Sequence, residues 1–195
     1  METEVTKNII GSSLPEHTLK VFDPQKNDIV DKKLSEFKGK WLVLFFYPAD
    51  FTFVCPTELE ELADLYEEFK KIDVEVLSLS TDTAFTHKAW HEKSPAISKV
   101  KYPMGADTNA FLAKTLGVYI AEEGLSQRGT FIINPEGVIV AQEVNDNSIG
   151  RSAKELLRKI RAAQYVASHD GQVCPASWQP GDDTLTPGAD MVGKI

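Results

Sequence analysis

The residue best placed to do chemistry in this sequence is Cys55, where a predicted strand passes into a predicted helix. An apolar run from Trp41 to Tyr47 ends at Pro48, and a Glu-rich amphipathic segment begins at Cys55. The free N–H groups and the positive dipole end of a helix favour an anion, which for a cysteine is the thiolate. We therefore predict that Cys55 is a nucleophile, against the alternative of a small buried hydrophobic residue.

A second cysteine, Cys174, lies far along the chain in a segment rich in Gly, Pro, Asp and Ser. The separation excludes a local CxxC pair with Cys55, and two cysteines are too few for a disulfide scaffold. In a cytosolic chain such a pair is more often catalytic or redox-sensing than structural. An idle surface thiol is the alternative interpretation of Cys174.

Composition and charge argue against several functional classes. The 195-residue chain has 42% hydrophobic and 26% charged residues, which fits one ordinary globular domain. Its net charge of -8 argues against nucleic-acid or anionic-membrane binding, because both need an excess of Lys and Arg. The N-terminus METEVTKNII lacks the basic head and apolar core of a signal peptide, and no apolar run reaches the ~20 residues of a membrane span. We therefore expect a cytoplasmic protein.

The order of the predicted elements indicates an α/β protein with a thioredoxin-like fold, in which half of the sheet is parallel and half antiparallel. Strands are predicted at His17 to Phe22 and Asp28 to Val30 as an N-terminal hairpin, at Trp41 to Tyr47 and Val74 to Leu79 as central strands, and at Thr130 to Ile133 and Val138 to Val144 as a second hairpin. Helical spacing covers Leu59 to Phe69, Ala84 to Glu92 with a start at Ser80 to Asp82, Asn109 to Leu116, and Ser152 to Ala167.

The composition changes after His169, and this change suggests two regions. Residues 1–169 are predicted to form one thioredoxin-like domain. Residues 170–195 are predicted to form an extended C-terminal tail, because Gly, Pro, Asp and Ser replace the apolar residues that would pack an element. The tail carries Cys174.

The chain resembles the peroxiredoxins in several motifs that occur in the same order across most of its length. Pro48, Thr52 and Cys55 fit the active-site pattern P-x-x-x-T-x-x-C of that family. The surrounding FFYPADFTFVCPTEL is similar to the typical two-cysteine branch, and most similar to the peroxidase subunits of bacterial alkyl hydroperoxide reductases. Further matches are HKAWH at 87–91, Arg128 before a strand, Gly150-Arg151, and Gln172 to Ala176. The resemblance runs from about Leu34 to the C-terminus and implies a thioredoxin-like peroxiredoxin domain.

The resemblance implies a thiol peroxidase that reduces hydrogen peroxide and organic hydroperoxides in antioxidant defence. Cys55 would be the peroxidatic cysteine and would become a sulfenic acid. Cys174 would resolve the sulfenic acid of the other subunit by forming an intersubunit disulfide. Thr52 and Arg128 would hydrogen-bond the peroxide beside the sulfur, and Pro48 would shield the thiolate from water.

Ionisation of the thiol cannot by itself explain catalysis. A free thiol is only ~3% thiolate at pH 7, so full ionisation gains at most ~30-fold, or ~2 kcal/mol of barrier. A more acidic thiol also loses intrinsic nucleophilicity. Because enzymatic accelerations begin around 10⁶, we expect hydrogen-bond donors aimed at both oxygens of the peroxide. The resemblance implies that Thr52 and Arg128 fill that need.

Glu58 and Arg151 are predicted to support the site. Glu58 follows Cys55 by three residues, which places both on one side of the first helical turn. The resemblance implies that Glu58 holds Arg128 and Arg151. A solvated glutamate near a helix N-terminus is the alternative for Glu58, and a surface charge leading a strand is the alternative for Arg128.

We expect neither a cofactor nor a metal. The sequence contains no Walker A string, GxGxxG, nucleophilic-serine elbow or CxxC. Reducing equivalents are therefore expected from an external dithiol protein, either a flavoprotein reductase or a thioredoxin-like protein. His87 and His91 lie four residues apart and could share a metal on one helix face, but two imidazoles without a third ligand make a poor site.

The resemblance also implies a homodimer that pairs through the edge strand near Val138 to Val144 and assembles into a decamer. Neither nucleic acid nor a membrane is an expected partner. Two other functions stay open at this point. One is a general thiol-disulfide oxidoreductase, which would need a local cysteine pair, and the other is a holdase assembly that protects unfolded clients.

Overall fold

Nine strands, five α-helices and three short 3₁₀ helices are found in residues 8–194, the part of the chain that the computed structural model describes. The strands are β1 (Thr18–Asp23), β2 (Asp28–Lys33), β3 (Trp41–Phe46), β4 (Val74–Ser80), β5 (Met104–Ala106), β6 (Tyr119–Ile120), β7 (Leu125–Ser126), β8 (Arg128–Ile133) and β9 (Ile139–Asn145). The helices are α1 (Cys55–Asp64), α2 (Tyr66–Lys71), α3 (Ala84–Lys93), α4 (Phe111–Thr115) and α5 (Ala153–Ser168). Contacts divide the chain into two compact units, Met1–Arg151 and Ser152–Ile195.

Seven strands of the first unit form one mixed sheet in the order β2-β1-β5-β4-β3-β8-β9. The pairs β3–β4 and β4–β5 are parallel, whereas β3–β8, β8–β9, β1–β5 and β1–β2 are antiparallel. One parallel and one antiparallel half are the arrangement of a thioredoxin-like fold, and both predicted hairpins are present. The predicted fold class is confirmed.

Strand β3 forms the inside of the sheet because its sequence, WLVLFF, has no polar face. Leu42 to Phe46 are at most 2% exposed, and β4 and β8 cover both edges of the strand. A continuous apolar run of this length is typical of a strand that is buried on both faces. The chain leaves this rigid strand at Tyr47, so the loop that follows starts from a fixed point.

The predicted helical segment after Cys55 is broken into two helices. Leu65, between α1 and α2, has φ -97° and ψ 1°, outside the helical region, and its N–H is bonded to the Glu61 and Ala63 carbonyls. No proline or glycine marks the break in the sequence. The bend leaves Leu62 and Phe69 fully buried on the same apolar side, so packing explains a feature that local propensity does not.

Three short features differ from the predicted elements. Strand β5 and the small hairpin β6–β7 were not predicted, and helix α3 begins one residue after Thr83 rather than at Ser80 to Asp82. Thr83 is the N-cap residue, since its hydroxyl accepts a hydrogen bond from the Thr86 N–H. Ser80 instead ends β4. Gly105 lies within β5, where an added Cβ would be 2.7 Å from Leu79, so the glycine allows close packing.

In the second unit, α5 begins after Ser152, whose hydroxyl accepts the Glu155 N–H. The tail is irregular, as its composition predicts, but it is not extended. Val173 pairs with Leu185, and Trp178 is 3% exposed with its ring 5.0 Å from that of Tyr165 on α5. The expectation of an extended tail is therefore corrected, because a buried tryptophan holds the segment against α5. Among residues 8–194, no helix is long and apolar enough to cross a membrane.

Candidate active site

Cys55 is the first residue of α1 and is fully buried. Val54 precedes it as the N-cap residue and makes no side-chain capping hydrogen bond. Pro56 follows and fits the first turn, where its missing N–H would have no partner in the helix. The sulfur therefore lies at the positive end of a helix, as the sequence predicts.

The Arg128 guanidinium is locked beside the sulfur. Its Nη1 lies 3.5 Å from Cys55 Sγ and donates a 2.6 Å hydrogen bond to Glu58 Oε2. Its Nε and Nη2 both donate to the Asn147 carbonyl oxygen, at 2.9 and 2.7 Å. Because both sides of the planar group are held, Arg128 presents its N–H groups to the site in one fixed orientation.

Glu58 links the two arginines as a buried carboxylate. Oε1 accepts the backbone N–H of Arg151 at 2.8 Å and its Nε at 2.9 Å. Oε2 accepts from Arg128 and from Arg151 Nη2, the latter at 3.2 Å. The side chain is 1% exposed, so the alternative of a solvated glutamate is wrong. The predicted grouping of Glu58 with both arginines is present.

The charges of this cluster sum to one uncompensated positive charge next to Cys55. Two guanidinium groups face one carboxylate, and the side chains of Arg128, Arg151 and Glu58 are 4%, 2% and 1% exposed. Burial lowers the pKa of Arg151, and its hydrogen bonds to Glu58 oppose that shift. Solvent screens such buried charges weakly, so a thiolate on Cys55 brings the cluster to neutrality at short range.

Arg151 is fixed by two further contacts that the sequence analysis missed. Its Nη1 donates to Thr130 Oγ1 at 3.0 Å, and its Cζ lies 3.5 Å from the centre of the Phe45 ring on β3. Thr130 could have been found, because it is two residues from Arg128 on β8 and therefore shares its face. Phe45 had no such signal among the other apolar residues of its strand.

Thr52 and Pro48 lie in the loop that joins β3 to α1. Thr52 Oγ1 donates a 2.9 Å hydrogen bond to the Ala49 carbonyl oxygen. With its hydrogen engaged there, the threonine hydroxyl presents lone pairs and acts as an acceptor, so the expectation of a donor at Thr52 is corrected. Pro48 is buried at the start of the loop. A ring without an N–H adds no unpaired donor at this position.

Cys174 lies in the second unit, with its thiol against α5. The side chain is half-buried, and its Sγ donates to the Ala162 carbonyl oxygen of α5 at 3.8 Å. Burial raises the pKa of Cys174, and the charge of Arg158 opposes the shift without cancelling it. Both cysteines are free, and neither is part of a disulfide.

His87 and His91 do not face a common site. The two ring nitrogens of His87 contact Asp50 Oδ2 at 2.7 Å and the Gly105 carbonyl oxygen at 3.1 Å. His91 Nε2 contacts the Val100 carbonyl oxygen at 3.1 Å. Within residues 8–194, no group of three or more His, Cys, Asp or Glu side chains is arranged to hold a metal ion.

Comparison with known proteins shows the family of the chain. A family model described as AhpC/TSA family matches residues 10–142, and one described as the C-terminal domain of 1-Cys peroxiredoxin matches residues 162–194. Alkyl hydroperoxide reductase C of Staphylococcus saprophyticus and of Staphylococcus aureus are each 50% identical over 188 residues, which is 96% of this chain and 100% of the relative.

Solved structures give the same result. AhpC of Enterococcus faecalis is 41% identical with a TM-score of 0.83, covering 87% of this chain and 100% of that chain. The reduced 2-Cys peroxiredoxin of Plasmodium vivax is 32% identical with a TM-score of 0.89, covering 94% and 96%. The full-length matches, together with a buried cysteine at a helix start beside a fixed arginine, lead to one conclusion: the chain belongs to the AhpC/TSA family of peroxiredoxins.

Proposed function

We propose that this thiol-dependent peroxidase reduces hydrogen peroxide and organic hydroperoxides at Cys55, and that Cys174 of a second subunit resolves the product. The observation that carries the proposal is the 3.5 Å contact between Arg128 Nη1 and the buried Cys55 Sγ. A fixed cation beside a sulfur at a helix start supplies what a nucleophilic thiolate needs.

The first step is attack of the Cys55 thiolate on the terminal oxygen of the hydroperoxide. An S–O bond forms and the O–O bond breaks, which leaves a sulfenic acid on sulfur and an alkoxide or hydroxide that takes up a proton from solvent. The sulfur is oxidised by two electrons and the peroxide is reduced to an alcohol or to water.

Arg128 and Thr52 act on the two oxygens during this step. Negative charge moves from sulfur to the leaving oxygen, and the N–H groups of Arg128 stabilise it there. Thr52 Oγ1 accepts the hydroxyl hydrogen of the peroxide, since its own hydrogen is engaged by Ala49. Pro48 keeps water from the thiolate. These roles favour the transition state over free thiolate and peroxide.

The second step joins two subunits. The Cys174 thiolate attacks the sulfenic sulfur, an S–S bond forms, and hydroxide leaves as water after protonation. Because Cys55 is buried, the first turn of α1 has to unwind, and a helix start without a side-chain cap unwinds at lower cost. Cys174 has to move away from its contact with the Ala162 carbonyl of α5, because burial there raises the pKa of its thiol. An external dithiol protein, a flavoprotein reductase or a thioredoxin-like protein, then reduces the disulfide.

These steps assign different roles to the two predicted regions of the chain. Residues 1–169 provide the peroxidatic site, and residues 170–195 form the segment that delivers Cys174 to the other subunit. We also propose a cytoplasmic location, because an enzyme that depends on an external dithiol has to work where thiol reductants keep disulfides reduced.

Serine substitutions test the two cysteines. Wild-type enzyme is expected to consume hydroperoxide continuously with a dithiol reductant, whereas Cys55→Ser consumes none. Cys174→Ser is expected to consume about one peroxide per Cys55 and then stall, because resolution follows oxygen transfer. Peroxide loss in single-turnover and steady-state assays measures both results, and non-reducing gels of oxidised wild type should show a disulfide-linked dimer.

The matched control is the double variant Cys55→Ser/Cys174→Ser, which should behave as Cys55→Ser does. Loss of the first stoichiometric reaction in Cys174→Ser would contradict the assigned roles, and a monomer on non-reducing gels would contradict the intersubunit disulfide. Equal protection of unfolded clients by wild type and Cys55→Ser, without turnover, would instead favour the holdase function.

Exposed apolar side chains at the sheet edge, in the loop before α1 and on α3 support a proposal for assembly. Strand β9 is the edge of the sheet, with Val144 42% exposed and Ile149 just beyond it 58% exposed. Phe53, in the loop before α1, is 92% exposed, and Phe85, on α3, is 71% exposed. Contact with another subunit would remove these apolar groups from water. We propose a dimer through β9 and closure of five dimers into a decamer through contacts that include Phe53 and Phe85.

Light scattering of the reduced enzyme should therefore give the mass of a decamer at micromolar concentration. Phe85→Asp is expected to give dimers, since it places a charge in the ring contact and leaves β9 unchanged. Lys93→Asp, on the same helix but at its exposed end, serves as a control that should remain decameric. A wild-type enzyme that is only monomeric would contradict both contacts.

A further inference from the structure

We propose that Asp50 is a positioning residue for the peroxidase reaction, because its buried carboxylate fixes the loop that carries Thr52. The inference rests on the proposed function, since the position of Thr52 matters only if a hydroperoxide binds beside Cys55. Asp50 lies two residues before Thr52, and its hydrogen bonds join it to Tyr47, Asp82 and His87 rather than to Cys55 or the arginine cluster. Its action is therefore exerted through the loop.

The loop from Pro48 to Val54 needs an anchor. It contains neither helix nor strand, and Phe51 has φ +56°, a left-handed conformation that a phenylalanine rarely adopts. Phe51 is 55% exposed and Phe53 is 92% exposed. The two large apolar side chains of the loop therefore do not anchor the loop in the core. A strained segment persists only where its surroundings hold it.

The Asp50 side chain provides that anchor and is itself fully buried. Oδ1 accepts the Tyr47 hydroxyl at 2.7 Å, and Oδ2 contacts His87 Nδ1 at 2.7 Å. On its other side, His87 Nε2 contacts the Gly105 carbonyl oxygen at 3.1 Å. The carboxylate thus ties the loop to the end of β3, to α3 and, through His87, to β5.

The backbone of the same residue is held as well. The Asp50 N–H donates to Asp82 Oδ2 at 2.9 Å, and the same oxygen accepts the Ser80 hydroxyl at 2.8 Å. Both the main chain and the side chain of Asp50 are therefore fixed just before the strained Phe51. This leaves little freedom in the direction in which the chain reaches Thr52.

The protons of the network can be counted from its partners. A carbonyl only accepts, so His87 Nε2 carries a hydrogen toward Gly105. The Tyr47 hydroxyl keeps its proton, since burial and the neighbouring Asp50 raise the pKa of Tyr47. One proton then lies between Asp50 Oδ2 and His87 Nδ1. Every buried polar atom of the three side chains has a partner, and the network is neutral as a unit.

This proton count leads to a specific expectation for asparagine. In Asp50→Asn, the amide carbonyl can accept from Tyr47 and the amide NH2 can donate to His87 Nδ1, so the same hydrogen bonds form without a carboxylate. If Asp50 acts by position, Asp50→Asn therefore keeps the peroxide reaction and Asp50→Ala loses it. If Asp50 acts by charge or by proton transfer, both variants lose it.

The experiment uses full-length variants in a Cys174→Ser background, where Cys55 is the sole thiol. Two second-order rate constants are measured for each: reaction with hydrogen peroxide and alkylation by iodoacetamide. Asp50→Ala is expected to slow the peroxide reaction about tenfold or more, because small displacements of a positioning group are costly. Its alkylation rate should stay near that of the parent, since alkylation does not use Thr52. Asp50→Asn should restore the peroxide rate.

Asp107→Ala is the matched control. Asp107 is also buried, at 1% exposure, and accepts the backbone N–H groups of Leu112 and Ala113 rather than any group of the loop. It is expected to lower stability without changing the ratio of the two rate constants. If Asp50→Ala does not fold, Tyr47→Phe replaces it, because it removes one of the two side-chain contacts and should lower the same ratio.

Two results would overturn the inference. One is an unchanged ratio of the two rate constants in Asp50→Ala or Tyr47→Phe, whether neither rate falls or both fall equally. The other is failure of Asp50→Asn to recover the peroxide rate. Failure of the proposed function looks different, because the parent enzyme would then react with peroxide no faster than a free thiol. A fast parent with an unchanged Asp50→Ala ratio would reject the role of Asp50 alone.

Discussion

Arg128→Lys is expected to lower the second-order rate constant for peroxide about 100-fold or more, although it keeps the positive charge. The guanidinium donates from three nitrogens at once, to the Asn147 carbonyl, to Glu58 and toward Cys55 Sγ. A lysine ammonium has one nitrogen on a flexible stem and cannot reproduce that planar set. Stopped-flow measurement of the single-turnover reaction provides the rate constant.

Alkylation of Cys55 by iodoacetamide separates charge from orientation in this variant. Lysine leaves a cation near the sulfur, so alkylation should be close to that of wild type while the peroxide reaction fails. A near-normal peroxide rate in Arg128→Lys would show that charge is sufficient and would reject the orienting role. Arg158→Lys, which changes an arginine paired with Glu155 on α5, is the control for the substitution itself.

Local sequence signals were sufficient for the elements that carry the nucleophile. The apolar run of β3 and the amphipathic pattern after it placed Cys55 at a helix start, because burial on both faces and helical periodicity are visible in the residues themselves. Strand β5 and the break at Leu65 could not be predicted in this way. Both are set by neighbours distant in sequence, with β5 paired between β1 and β4.

In the site, too, some features follow from local sequence and others depend on residues distant in sequence. Glu58 was near Cys55 by spacing, but its grouping with Arg128 and Arg151 came from the family resemblance, since no local pattern joins residues so far apart. Asn147 contributes only its backbone carbonyl, and a carbonyl leaves no signal in residue type. The contact between Asp50 and His87 likewise depends on how α3 packs against the loop, whereas spacing in the sequence indicates only that His87 shares a helix face with His91.

Glu58→Gln is expected to be the most destabilising of the single substitutions considered. The carboxylate accepts four N–H groups from two buried arginines. A glutamine can accept at its oxygen alone, and its NH2 would point its hydrogens at N–H donors. Two buried guanidinium groups would then lack a counter-charge. Breaking a buried pair in this way costs about 3–5 kcal/mol, which for a chain of this length lowers Tm by roughly 6–20 °C.

Thermal unfolding at one fixed protein concentration measures the effect, because assembly also changes Tm. Glu155→Gln is the matched control. Its pair with Arg158 is partly exposed, with the glutamate side chain 43% exposed, so its loss should cost no more than ~1 kcal/mol. If Glu58→Gln had the same Tm as the Glu155→Gln control, that result would contradict the structural role of the buried carboxylate.

A second substitution distinguishes the missing counter-charge from the missing hydrogen bonds. Glu58→Gln/Arg151→Met removes one guanidinium as well, and the methionine can fill the space over the Phe45 ring. Replacing buried ionic groups by apolar ones of similar volume is often neutral or stabilising, so the double variant should recover part of the lost Tm. Glu58→Gln is also expected to lower the peroxide rate, because Arg128 loses the carboxylate that orients Nη1 toward Cys55, and the double variant should not recover that rate. Stability and activity would thus separate, which a purely structural role of Glu58 does not predict.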